Sequence, residues 1–308
     1  MSARRRTRRP DARAAGGRVR TSLRRAMRSV ARIPAVRREI ARWRRLGHRV
    51  AFVPTMGGIH EGHLSLIRLA RAGADRVIAS IFVNPLQFGP KEDFRAYPRP
   101  RLRDRALLRA AGVDLLWEPG IEDLYPRGHL TRVRVRELEE SLEGFARPGH
   151  FEGVATVVLK LLHVVMPDVL WLGQKDAQQA IIIERLVHDL LLPVDVRRGP
   201  TVREPDGLAM SSRNAYLTKA QRADAVALSR GLAAALSALR EGEREAARLR
   251  RTVQTELKAR PAVATEYVAV VDAKTLKPVK RVRGRVLIAV AARVGKARLI
   301  DNLEWGPR

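Results

Sequence analysis

The sequence predicts an α/β protein: a doubly wound parallel sheet followed by a smaller α+β domain. Three observations lead to this. Short apolar runs alternate with helical patterns from Arg49 to Arg197, as repeated βαβ units require. Polar and Gly-rich motifs follow the apolar runs directly, at the strand ends where open parallel sheets bind ligands. Near Thr201 the alternation stops and two Ala- and Arg-rich helical stretches lead into further strands.

Taken in order, residues 1–26 hold ten arginines against the single acid Asp11, a balance of +9 with no apolar periodicity. Such a segment is expected to be a disordered basic extension. It reads as an arm for nucleic acid or anionic lipid or as an Arg-rich targeting peptide, but a translation start at Met27, or a functionally idle tail, is favoured over either. A first helix is expected over 33–46, with Ile33, Val36, Ile40 and Trp43 on one face. Strands are expected over 49–54, 76–83, 113–117, 168–172 and 193–197, and helices over 62–72, 101–111, 154–165 and 177–191. Beyond the turn-rich segment 201–214, helices over 219–239 and 243–259 precede strands over 265–272 and 285–292. The expected organisation is therefore the basic extension (1–26), a first α/β domain (27–200) and a smaller C-terminal α+β domain (201–308).

Composition narrows the class. With 308 residues, 45% of them hydrophobic, the chain can bury a full core. It has no cysteine, which excludes disulfides, thiolate metal sites and thiol catalysis and is compatible with a reducing cytoplasm. The longest apolar stretch, 154–172, is interrupted by Lys160, His163, Pro167 and Asp168, so a soluble protein without a membrane span is expected. The net charge is +28, and the part outside the extension is spread over Arg-rich helix faces.

The most informative motif runs from Val50 through Pro54-Thr55-Met56-Gly57-Gly58-Ile59-His60-Glu61-Gly62-His63. An apolar strand enters a Gly-rich turn and then a helix opening on two histidines. This is expected to present free backbone N–H groups and a helix N-terminus to a phosphate. The histidines are three residues apart, not four, which speaks against a zinc protease helix. Further polar groups start loops at strand ends: Asn84-Pro85-Leu86-Gln87 and Gly173-Gln174-Lys175-Asp176. Lys175 supplies a mobile cation where phosphates dock. The segment Met210-Ser211-Ser212-Arg213-Asn214 offers hydroxyls and an arginine from a second side, or simply an N-capped linker.

Together, Pro-Thr-Met-Gly at 54–57, His-x-Gly-His at 60–63, Phe-Val-Asn-Pro-Leu-Gln-Phe-Gly at 82–89, Arg-Pro-Gly-His-Phe at 147–151, Gly-x-Lys-Asp at 173–176 and Met-Ser-Ser-Arg-Asn at 210–214 resemble the pantoate and β-alanine ligases of the HIGH-motif nucleotidyltransferases. The resemblance spans about 27–302. Gly58-Ile59 stands where Ala-Leu is usual, and Gln174 where Glu is frequent. It implies a Rossmann-like nucleotide-binding catalytic domain over 27–200 with a C-terminal lid domain over 201–308, and a two-step reaction, in which pantoate attacks the α-phosphate of Mg-ATP and β-alanine then attacks the pantoyl adenylate, releasing AMP. It implies His63, His60 and Lys175 as catalytic groups, with His63 the better candidate of the two histidines for a proton donor. ATP would be held by Met56, Gly57, Gly58, Ile59, His60, Glu61, Gly62, His63, Gly173, Gln174, Lys175, Asp176, Val202, Met210, Ser211, Ser212 and Arg213. Pantoate would be held by Met56, Gln87 and Gln179, and β-alanine by Gln87. Asn84, Tyr97, Glu143, Arg147 and His150 are candidates for the pocket wall. Mg2+ would arrive with ATP, without direct protein ligands. A cytoplasmic homodimer is expected, with no membrane partner and no specific nucleic acid. The competing readings are a HIGH-type adenylyltransferase acting on another small carboxylate, and a nucleic-acid-binding protein; the basic extension has no interleaved aromatics for base stacking.

Overall fold

The computed structural model describes residues 26–90, 92 and 94–306; the expected basic extension lies almost wholly outside them. The chain begins with a three-residue strand, β1 (Arg28–Val30), and helix α1 (Ile33–Arg45). Strand β2 (Val50–Thr55), helix α2 (Glu61–Gly73) and strand β3 (Arg76–Ile81) form the first βαβ unit. Helix α3 (Arg101–Ala110), strand β4 (Leu115–Trp117) and the short helices α4 (Ile121–Leu124) and α5 (Leu142–Ala146) follow. Then come α6 (His150–Val165), β5 (Val169–Gly173), α7 (Ala177–Asp189) and β6 (Asp195–Gly199). These six strands pair in parallel in the order β1-β4-β3-β2-β5-β6.

Period-2 alternation along the strands explains the double winding. Val50 and Phe52 of β2, Ile78 of β3 and Leu170 of β5 share one core with Val36, Ile40 and Trp43 of α1 and the apolar faces of α6 and α7. Ala51 and Val53, with Val77 and Ala79, turn to the other side and pack on Ile67 and Ala70 of α2 and Leu108 of α3. The chain leaves β2 for β3 and β4 on one side and returns as β5 on the other. The switch point, where such sheets bind ligands, is thus the carboxyl end of β2 and β5.

The remainder comprises α8 (Lys219–Ala225), α9 (Ala227–Arg240), α10 (Ala246–Lys258) and an antiparallel sheet of β7 (Val263–Asp272), β8 (Val286–Val294) and β9 (Ala297–Trp305). The helix expected over 219–239 is broken at Val226. The helix expected from 154 begins at His150, because Gly149 at φ +80° lets the chain enter it there. β1 and β9 were not foreseen. β1 has only three residues. β9 places the buried Asp301 at an inward position, where Arg203 pairs with it (2.6 Å), and this polar residue interrupts the apolar alternation.

Candidate active site

The Gly-rich turn after β2 is built from both sides. Gly57 and Gly58 have φ of +85° and +61°, a conformation that costs a residue with a Cβ far more. Thr55 Oγ1 donates to the Ser80 carbonyl (2.8 Å) and accepts from the Gly57 amide (3.2 Å). The expectation of free amides is corrected here. The Gly58 and Ile59 N–H groups donate to the two oxygens of Asp104 on α3, at 2.9 and 2.8 Å, and Asp104 is 1% exposed. A carboxylate of the protein itself fills the anion-binding nest of this turn. The Gly58 and Ile59 amides are therefore already engaged.

The histidines are corrected too. His60 is not in the helix; it is the N-cap of α2. Its Nδ1 accepts from the Gly62 amide (3.2 Å), while its own amide donates to His63 Nδ1 (3.3 Å). A Cβ on residue 62 would lie 2.9 Å from His60 Cε1, so Gly62 gives the ring its place. Because both Nδ1 atoms accept backbone protons, a neutral ring carries its hydrogen on Nε2. Both rings are neutral at pH 7. Burial, and then the Lys175 charge, lowers His60 below its ordinary value, while burial and then neighbouring His60 hold His63 at about 3. The ring centroids are 4.1 Å apart. The pair thus offers two aligned Nε2–H donors. His63 as a protonated acid does not fit this environment.

A cavity of about 240 Å³ opens above β2 and β5. It gathers Met56, His60, Gly62 and His63 from the first motif, Asn84 and Gln87 from the second, Tyr97 beyond it, and Gly173, Lys175, Asp176 and Gln179 from the β5–α7 junction. Val202, Met210, Ser211, Ser212 and Arg213 close it from the C-terminal side, and Arg147 and His150 line it as well. Lys175 Nζ lies 3.6 Å from Asp176. A wider cleft of about 790 Å³ shares Arg147, Lys175, Asp176, Ser211 and Arg213 and extends over β9.

Some expected residues stand elsewhere. Gly57 faces a neighbouring cavity, Ile59 is 1% exposed in the core, and Gly58 is tied to Asp104. Glu61 pairs with Arg68, and Gln174 takes a hydrogen bond from Arg198 and donates one to Asn302. Glu143 borders the wider cleft, but its carboxylate is held by Arg298 of β9 and Tyr267 of β7 (2.8 Å). Burial weakens its charge, yet the Arg298 hydrogen bonds hold its pKa below the ordinary carboxylate range.

Sequence reasoning missed Asp104, Asn302 and Tyr125. Asn302 on β9 donates to the carbonyls of Gln174 (3.0 Å) and Lys175 (2.8 Å), fixing the turn that carries the lysine. No local pattern announces such long-range polar contacts. Asn214 of the Met-Ser-Ser-Arg-Asn segment also has a structural part: its amide donates to Glu204 (2.7 Å) and the Ala209 carbonyl (3.1 Å).

Comparison with known proteins places this geometry. The family described as Pantoate-beta-alanine ligase matches residues 28–304. A pantothenate synthetase of Moorella thermoacetica is 53% identical over 271 residues, covering 88% of this chain and 96% of the relative. One from Heliobacterium modesticaldum is 52% identical, covering 86% and 96%. The crystal structure of pantothenate synthetase from Thermus thermophilus superposes with a TM-score of 0.87 at 47% identity, over 91% of this chain and all of that one. The pantoate-beta-alanine ligase of Francisella tularensis, solved in complex with beta-gamma ATP and beta-alanine, gives a TM-score of 0.71 at 34% identity, over 90% and 97%. The chain belongs to the pantoate-beta-alanine ligase family.

Proposed function

We infer that this chain condenses pantoate with β-alanine at the expense of ATP, giving pantothenate, AMP and pyrophosphate through a pantoyl adenylate. The observation that carries the reading is the convergence of neutral amide groups (Gln87, Gln179) and phosphate-type groups (His60, His63, Lys175, Ser211, Ser212, Arg213) on one cavity.

In the first step a pantoate carboxylate oxygen attacks the α-phosphorus and the bond to the β-phosphate oxygen breaks, so charge moves onto pyrophosphate. Catalysis here is alignment and charge stabilisation. The two imidazole Nε2–H groups and the Lys175 ammonium would meet that charge, with Ser211, Ser212 and Arg213 on the far side of the phosphates. In the second step the β-alanine nitrogen attacks the acyl carbon, loses a proton, and AMP leaves. Gln87 and Gln179 would hold pantoate, Gln87 standing next to the β-alanine position.

Among the described residues no three His, Cys, Asp or Glu side chains group together as a metal site. Asp176 is the acid that lines the cavity. We propose that a hard cation, which prefers phosphate and water oxygens, is carried on ATP and neutralises its phosphates. We also propose that residues 201–308 act as a lid, and that the protein works as a cytoplasmic homodimer, which sedimentation at micromolar concentration tests.

Isotope transfer tests the chemistry. Pantoate labelled with 18O in its carboxylate should deliver one labelled oxygen to AMP, read by mass spectrometry. Unlabelled AMP with labelled pantothenate would exclude the acyl adenylate. Adenylation of a different acid in place of pantoate would favour the related adenylyltransferase reading.

A further inference from the structure

Gln87 ends a short 3-10 turn, Pro85–Gln87, and its side-chain amide faces the cavity. Its orientation can be deduced from backbone groups whose polarity is fixed. The Leu86 N–H donates to Asn84 at 3.3 Å, so the atom receiving it is Oδ1. The other terminal atom of Asn84 is then Nδ2, and it donates to the Gly153 carbonyl at 3.0 Å. A flipped amide would set N–H against N–H and oxygen against oxygen. Asn84 Nδ2 also donates to Gln87 Oε1 at 3.0 Å. The Gln87 oxygen is thereby engaged, and Nε2 turns to Met56 Sδ at 2.9 Å. Sulfur is a weak acceptor, easily exchanged for a substrate oxygen.

Behind Asn84 stands Tyr125, whose Oη lies 2.8 Å from Oδ1. Since Oδ1 can only accept, the phenol must donate. Burial raises the Tyr125 pKa, which keeps that proton in place. Tyr125 does not line the cavity; its ring packs near Phe82 and beneath Lys160 Nζ, 5.3 Å from the centroid. The whole arrangement needs α6 to come close. A Cβ on residue 153 would lie 2.3 Å from the Leu86 carbonyl oxygen.

We propose that Tyr125 is a positioning residue that acts through Asn84 to present Gln87 to the cavity as a donor only, so that this wall selects an oxygen acceptor, a carboxylate or hydroxyl, in the acid substrate. The proposal rests on the assignment of Gln87 to pantoate. Tyr125→Phe removes the donor and little else.

The test is a double-mutant cycle on pantothenate formation, reading kcat/KM for pantoate and KM for ATP in the wild type, Tyr125→Phe, Gln87→Ala and the double variant. Tyr125→Phe should lower kcat/KM for pantoate about 3- to 10-fold by raising its KM, with KM for ATP within about 2-fold. In the Gln87→Ala background the same change should have less than about a 2-fold effect, because the group it orients is gone. If Gln87→Ala is too slow for turnover, pantoate binding by calorimetry supplies the same cycle. An equal loss in both backgrounds, an unchanged Tyr125→Phe, or a parallel rise in KM for ATP overturns the proposal. If Gln87→Ala itself leaves pantoate binding intact, the underlying assignment of Gln87 fails instead.

Discussion

At the residue scale the protein depends on groups held in one protonation state and one orientation. His63 and His150 are the clearest cases: burial holds them at about 3 and about 4, against 6.5 for a free imidazole. The unfolded chain therefore takes up protons first as the pH falls. Stability contributed by keeping these rings neutral is complete above about 6.5 and is lost from there towards 4, by up to about 1.4 kcal/mol per pH unit per ring. Glu92 and Glu143, whose pKa values are lowered chiefly through arginine hydrogen bonds against the opposing effect of burial, add further loss below 4.5. Thermal melts from pH 7.5 to 5 should show a falling midpoint, and His150→Gln should flatten the slope; an unchanged slope would contradict the burial argument. For catalysis, Lys175→Ala and His63→Ala should each keep the fold while costing about 2 to 4 kcal/mol in adenylate formation, the range for one preorganised charge-stabilising group. Stopped-flow pyrophosphate release with circular dichroism as control checks this, and wild-type rates would remove either residue from the mechanism.

At the element scale, much was legible because strand and helix periods are local. Phe52 and Ala51 fall on opposite sheet faces as alternation demands, and Ile33, Val36, Ile40 and Trp43 do turn one face of α1 to the sheet. What was not legible depends on distant partners. The amides of Gly58 and Ile59 read as free until Asp104, more than forty residues away, is seen against them. The His60–His63 pair reads as two helical neighbours until the reciprocal N-cap bonds show that one ring lies outside the helix. β1 matters for where the fold begins. Met27 is 7% exposed and packs with Ala51 and Val77. Trp117 Nε1 donates to the Ala31 carbonyl at 2.9 Å. A chain starting at Met27 should therefore fold and keep full activity. One starting at Pro34 loses a buried methionine and orphans a buried indole N–H, each costing roughly 1 to 3 kcal/mol. Its melting midpoint should drop by several degrees, whereas equal stability of both chains would show that β1 contributes nothing.

At the scale of the whole molecule, the second sheet is coupled to the first core and is not a loose flap. Val271, Leu276, Leu287 and Ala289 join the apolar cluster of α6 and α7. Arg298 reaches Glu143, and Arg198 reaches Glu304 at 3.5 Å. Asn302 sits on the Lys175 turn. If residues 201–308 close as a lid, this contact must slide with them, and a movement of β9 would shift Lys175 itself. One cavity is expected to activate pantoate as an adenylate before any amine arrives. Exchange of labelled pyrophosphate into ATP, measured with pantoate and without β-alanine, tests it most directly. Exchange should require pantoate and fall about 30- to 1000-fold in Lys175→Ala; exchange that needs β-alanine, or none at all from an enzyme that still makes pantothenate, would show that no adenylate forms before the amine.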